Sequence, residues 1–282
     1  IQWLDHLGFD EAWIGEHHSA GWETISSPEV FMGVAAERTK NIKLGTGVAS
    51  LPYHHPLMLT NRMILLDHLT RGRVMLGVGP GALVSDAYSL GIDPNMQRPR
   101  MDEAIGIIKE LLTTKTPITY ESDWFTLKEA LPHLQPYTQP HFPISVAAAQ
   151  SPSGMIAAGK HGLGVLSVSG VRGGSISSNL AEFWSIAEEA AQEYNQTVDR
   201  NEWRLVLHVH LADTKKEALE QVREKSAIYQ WDYFHQTMGI PFDYTGPKDK
   251  IVDHMVNNGA WCVGTPDDLV AKIKELDEQS GG

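Results

Sequence analysis

Apolar residues along this chain fall into short, near-continuous runs separated by longer stretches with helical spacing. The runs lie at Ala12–Glu16, Ile42–Val48, Val74–Gly79, Ile144–Ala148, Val165–Ser169 and Leu205–Ala212. They lack the strict polar alternation of a strand with one wet face, so they predict parallel strands covered on both sides. Between them the spacing predicts helices. Ser27 offers a cap and Pro28 a first-turn proline before Val30–Lys40. Further helices are predicted over Pro56–Leu69, Pro99–Leu112, Ser151–Lys160, Leu180–Tyr194 and Lys215–Trp231. The last starts at Thr265-Pro266-Asp267-Asp268 and runs to Glu278.

Two stretches break this rhythm. Residues 117–127 carry two β-like halves around Glu121-Ser122-Asp123 and predict a hairpin insertion. Residues 231–261 are aromatic and irregular and predict a second insertion. Alternating strands and helices build either a barrel or a doubly wound sheet, and grown loops of this kind suit a barrel. Six strands are countable. An eight-stranded ring would take its first strand before Ile1 and its eighth after Gly282, two neighbours at one seam. The opening Ile1-Gln2-Trp3-Leu4-Asp5, which reads as the middle of a helix, and the closing Ser280-Gly281-Gly282 agree with a chain cut at both ends. There is no internal repeat.

Composition narrows the class. The 282 residues, 42% of them hydrophobic, suffice for one large α/β domain, and 1–282 is expected to form a single domain. No apolar run reaches the roughly 18 residues of a membrane span. A formal net charge of -12, with no basic block, argues against nucleic acid or an anionic membrane as partner. The lone Cys262 excludes an intrachain disulfide and a cysteine metal cluster. Together with the lack of a visible signal peptide, it points to a cytoplasmic setting.

The first run ends on Glu16-His17-His18, and the C-terminal ends of barrel strands are where catalytic groups gather. Alternation along a strand would turn His17 and His18 to opposite sides, giving one catalytic imidazole and one structural neighbour. The plainer alternative for His17 is a packed structural histidine, and for Glu16 a buried carboxylate with structural partners. His208 and His210 share one strand face, and HxH can hold a metal, so a metal-dependent barrel hydrolase is a rival reading. Supporting carboxylates are scarce, and no metal is expected. Gly79-Pro80-Gly81 is not a dinucleotide fingerprint, because Pro80 removes a donor and the spacing is wrong. Trp22, Tyr53, Trp231, Tyr233 and Phe234, with His210, could wall a pocket for an apolar substrate; packing beneath loops is the alternative for each aromatic residue.

Seven motifs in order resemble one family. They are Gly8-Phe9-Asp10-Glu11-Ala12-Trp13, Glu16-His17-His18, Leu44-Gly45-Thr46-Gly47-Val48, Leu51-Pro52-Tyr53-His54-His55-Pro56, Leu66-Asp67-His68-Leu69-Thr70-Arg71-Gly72-Arg73, Gly77-Val78-Gly79-Pro80-Gly81 and Gly264-Thr265-Pro266-Asp267-Asp268. The family is that of the bacterial-luciferase-like flavin-dependent monooxygenases. Glu16 to Pro28 and the Gly-Pro-Gly loop are most similar to its limonene 1,2-monooxygenase-like branch.

The resemblance implies a (β/α)8 TIM barrel that uses reduced flavin, FMN or FAD, and O2 to oxygenate a small apolar substrate such as a terpene. It implies a separate NAD(P)H-flavin reductase and is compatible with a homo-oligomer. His17 would act in proton transfer, and Glu16 would bond nearby backbone or the flavin edge. Gly47 and Val48 would pass against the flavin, often across a cis non-prolyl bond, and Gly79, Pro80 and Gly81 would form a tight loop that lets it approach. Arg98 with Gln150, Ser151 and Ser153 would hold the phosphate at a helix N-terminus, whose free amides suit an anion. Simple N-capping is the alternative for the serines. Val168 and Ser169 would line the same pocket. The same barrel also serves deazaflavin-dependent hydride transfer, which stays open as the alternative. A non-catalytic flavin-binding subunit is a third reading, against which the presence of His17 weighs.

Overall fold

The computed structural model describes residues 1–149, 151–168 and 179–281. Gln150 and Ser169, both expected in the flavin site, lie outside the described residues. The chain forms two compact units, Ile1–Ala147 and Ala148–Gly282.

The first unit starts with helix α1 (Gln2–Leu7), stopped by Gly8 at φ +82°. Strand β1 (Glu11–Ile14), α2 (Pro28–Arg38), β2 (Lys43–Thr46), the short β3 (Ala49–Ser50), α3 (Pro56–Thr70) and β4 (Val74–Gly79) follow. Then come α4 (Val84–Ser89), α5 (Gln97–Thr113), the hairpin β5 (Ile118–Glu121) and β6 (Thr126–Ala130), and β7 (Ile144–Ala148). Strands β1 and β2, β2 and β4, β3 and β4, and β4 and β7 all pair in parallel. Every residue of β4 is buried, as continuous apolar runs require. The hairpin spans 118–130, three residues beyond the end expected from sequence. It is fastened to α5 by Glu103, which accepts hydrogen bonds from Tyr120, Ser122 and Trp124 at 2.7–2.9 Å.

The second unit contains α6 (Ser153–His161), β8 (Gly164–Val168), α7 (Leu180–Glu193), β9 (Trp203–Val206) and β10 (His208–Leu211). It continues with α8 (Lys215–Ile228), a π-helical stretch (Tyr229–Thr237), α9 (Ile251–Asn257), β11 (Trp261–Gly264) and α10 (Pro266–Ser280). Strand β8 pairs with β9, and β10 with β11, both in parallel. Thr265 and Asp268 close a capping box at the start of α10.

The structure corrects four expectations. The run 205–212 is not one strand: it breaks at Leu207, and its halves take different partners. The stretch 231–261, read as irregular, is partly helical and ends on the first residue of β11, a parallel strand that the six counted runs did not include. Strand β1 stops at Ile14, so residues 15–18 follow it as irregular chain. The alternation that set His17 and His18 on opposite faces therefore does not apply to them. Finally, α5 starts at Gln97 and α6 at Ser153, which puts Arg98 inside the first turn of one helix and leaves Ser151 before the other. Among the described residues no helix is long and apolar enough to cross a membrane.

Candidate active site

In the first unit, the segments that follow β1, β2 and β4 bring a group of titratable side chains together. Glu16 is its hub. Its carboxylate is fully buried. Oε1 accepts from His18 Nε2 at 2.8 Å and His54 Nε2 at 2.9 Å, and Oε2 accepts from the Ser50 amide at 2.7 Å. Burial opposes ionisation here, but the bonds from His54, Ser50 and His18 outweigh it and hold the carboxyl below its ordinary range.

The tautomer of His54 follows from its other neighbour. Arg62 donates to His54 Nδ1 at 3.1 Å. A guanidinium has only donors, so Nδ1 carries a lone pair, and the single ring proton sits on Nε2, facing Glu16. Arg62 in turn pairs with Glu29 through Nε at 3.0 Å. A line of interactions thus runs from Glu29 on α2 through α3 to the hub.

His17 occupies a second carboxylate pair. Its Nδ1 lies 3.3 Å from Asp86 Oδ2 and its Nε2 3.3 Å from Glu23 Oε2. The ring is 11% exposed. Burial favours the neutral ring, but Glu23 and then Asp86 outweigh it and raise the imidazole above its ordinary value. Asp86, buried on α4, is fixed by the Ser19 hydroxyl and the His18 amide. The Nδ1 side is therefore rigid, whereas Glu23 on the Nε2 side is 41% exposed. His18 is more than a bystander: its amide bonds Asp86, its ring bonds Glu16, and it meets Tyr53 edge-on at 5.8 Å.

The glycine-rich strand ends adjoin this group. The Gly47–Val48 peptide is cis, where the resemblance placed such a bond. A Cβ on Gly45 or Gly47 would strike Trp13, and one on Gly79 would strike the Val48 side chain. Beyond β4, Gln97 Nε2 donates to the Pro80 carbonyl at 2.8 Å and to Tyr53 Oη at 2.9 Å. Gly81, at φ +90°, lies against both Tyr53 and Gln97.

Glu16, His17, Tyr53, Gly47, Val48, Gly79, Pro80 and Gly81 thus meet in one unit. Arg98 belongs to the same unit, and Trp22 is half-buried between β1 and α2. Ser151, Ser153, Val168, His210 and Trp231 belong to the second unit. There the Ser151 and Ser153 hydroxyls are 2.8 Å apart, and neither caps α6. His210 bonds Gln221 of α8 at 2.7 Å, and His208 packs among Tyr229, Phe234 and Trp261. Trp231 packs against His235 and Phe242, with the Lys248 ammonium 4.8 Å from its ring centre. Among the described residues no three His, Cys, Asp or Glu side chains are arranged to hold a metal.

His54, Asp86, Glu23 and Gln97 were not singled out from sequence. His54 stood inside a quoted motif. Asp86 had only its place after the Gly-Pro-Gly loop, and its partners are 67–69 positions away.

A flavin approaching these strand ends needs donors for its ring oxygens and nitrogens. The imidazole of His17 is such a donor, so the residues present fit the group.

The model of the luciferase-like monooxygenase family matches residues 1–282. Limonene 1,2-monooxygenase of Rhodococcus erythropolis is 45% identical over 100% of this chain and 71% of its own. The 4-hydroxyprotoasukamycin monooxygenase of Streptomyces nodosus subsp. asukaensis is 43% identical over 100% of this chain and 76% of its own. Among solved structures, the oxygenating constituent of 3,6-diketocamphane monooxygenase from Pseudomonas putida, in complex with FMN, superposes with a TM-score of 0.80 at 27% identity. It covers 100% of this chain and 82% of that one.

Proposed function

The chain belongs to the luciferase-like monooxygenase family and is an oxidoreductase of the luciferase-like barrel class, and from that premise we propose that it is the oxygenating component of a flavin-dependent monooxygenase. It takes reduced FMN or FAD from a separate reductase and inserts one oxygen atom of O2 into a small organic molecule of terpene size. The two-component reading is supported by the solved relative, which is itself an oxygenating constituent and holds FMN. Residues 1–282 are read as one barrel domain, acting in the cytoplasm.

Reduced flavin, when bound, supplies the electrons that activate O2. The residues of this chain do the rest. His17 holds a proton between two carboxylates, which suits it to deliver that proton from Nε2, the side where Glu23 can yield. General acid–base assistance of this kind is worth about 10²–10⁴-fold. Asp86 fixes the ring, and Glu16, saturated by its own partners, fixes His18 and the loop around it. The flavin phosphate is assigned to Ser151 and Ser153 at the start of α6.

The observation that carries this reading is the placement of His17 between Asp86 and Glu23 in the segment that follows β1. The test is turnover of limonene under ¹⁸O2 with reduced FMN. Incorporation of one labelled oxygen into product is expected. Absence of incorporation with FMN or FAD, together with hydride transfer from reduced deazaflavin, would replace this reading with the deazaflavin one.

A further inference from the structure

Tyr53 has a hydrogen-bond donor whose direction can be worked out. The Pro80 carbonyl can only accept, so the Gln97 atom that bonds it must be the amide nitrogen. That same nitrogen faces Tyr53 Oη at 2.9 Å. The phenol oxygen is therefore the acceptor in that bond, and its own proton must point elsewhere. Among the described residues it finds no acceptor. An O–H whose oxygen already accepts a hydrogen bond is a stronger donor. Burial, and then the nearby Asp86 carboxylate, push the phenol up to about 12, so it remains protonated across any working pH. Gly81 keeps this arrangement compact, because any side chain there would strike Tyr53 and Gln97.

We infer that Tyr53 donates to an oxygen atom carried by the organic substrate, so that the site selects a ketone or alcohol over a bare hydrocarbon of the same shape. This rests on the monooxygenase reading and narrows its substrate class. Tyr53 then acts as a polar specificity residue rather than as part of an apolar wall. Gln97 is the positioning residue that aims it. A site that offers a directed donor discriminates against an analogue lacking the acceptor.

The test is a binding measurement, independent of turnover. Limonene and carvone share a carbon skeleton, and carvone adds a ring carbonyl. Their dissociation constants are measured by calorimetry for the wild-type protein and for Tyr53→Phe, which keeps the ring and removes only the hydroxyl. FMN affinity is measured alongside. The expected result is a preference of the wild type for carvone of about three- to tenfold, the worth of one neutral hydrogen bond. Tyr53→Phe should abolish that preference, with FMN affinity unchanged. No carvone preference in the wild type, or its retention in Tyr53→Phe, overturns the inference. A selective loss of FMN affinity would assign the phenol to the cofactor instead and would equally overturn it. Carvone preference without any turnover would leave the inference standing and count against the monooxygenase reading alone.

Discussion

His54 bonds both oxygens of Glu16 through a single ring nitrogen, at 2.9 and 3.0 Å, across 38 positions of sequence. Because Arg62 occupies the other ring nitrogen, this imidazole is committed to donating toward Glu16. The carboxylate at the end of the first motif is therefore saturated, and the titrating chemistry of the site falls to His17.

Glu16→Ala should destabilise the protein by about 3 kcal/mol, since it removes charge-assisted bonds and orphans buried donors on His54 and Ser50. Glu16→Gln keeps one acceptor oxygen and should lose less. The folded-state pKa of Glu16 is depressed, so its contribution is present above the unfolded carboxylate value of about 4.3 and is lost as pH falls through the lower folded value. Chemical denaturation between neutral pH and pH 3 should show a steeper acid-side decline in the wild type than in Glu16→Gln. Parallel declines would mean Glu16 contributes no such linkage.

For His17 the sign reverses. Its raised pKa gives stability that is full below about pH 6.5 and is lost as pH rises through the folded value. Asp86→Asn should bring the NMR-monitored titration of His17 down toward the ordinary imidazole value, and His17→Gln should flatten the alkaline-side decline. His17→Ala should also cut turnover by about 10²–10⁴-fold while leaving flavin binding largely intact. Full activity in His17→Ala would exclude it from catalysis.

These pH effects depend on residues of unequal legibility in the sequence. The strands of the first unit show in the sequence because both faces are covered, so burial writes a continuous apolar run, as in Val74–Gly79. Ala49–Ser50 is too short to do so, and Trp261–Gly264 follows an aromatic stretch whose pattern belongs to helices. The break at Leu207 was hidden because it comes from a change of pairing partner, which leaves no mark on hydrophobicity. The site divides likewise. Glu16 and His17 are adjacent and stand out as a motif, whereas Asp86 and Gln97 enter only through contacts 69 and 44 positions apart. One sequence cannot indicate such meetings unless a known family supplies them.

Gly81→Ala probes the loop beyond β4. The new methyl would face a positive φ and would land on Tyr53 and Gln97. The backbone cost of such a conformation is about 1–3 kcal/mol. Gly91→Ala is the control: it also has positive φ, +69°, but has no atom within 4 Å of the new methyl. Stability loss in Gly81→Ala should exceed that in Gly91→Ala, and only Gly81→Ala should weaken carvone binding. Equal behaviour of the two variants would show that the close approach to Tyr53 is unimportant.

The phosphate assignment makes the last prediction. Ser151 and Ser153 precede and open α6, their hydroxyls are 2.8 Å apart, and neither is used to cap the helix. The first turn of a helix presents amides and a partial positive charge to an anion, and two hydroxyls beside it add neutral donors worth about 0.5–1.5 kcal/mol each. The double variant Ser151→Ala/Ser153→Ala should therefore weaken FMN binding by about ten- to a hundredfold. Riboflavin, which has the same ring system without the phosphate, should bind nearly unchanged. Fluorescence titration of both ligands decides the matter: equal losses for FMN and riboflavin would assign these residues to the fold, whereas loss confined to FMN places the phosphate with them.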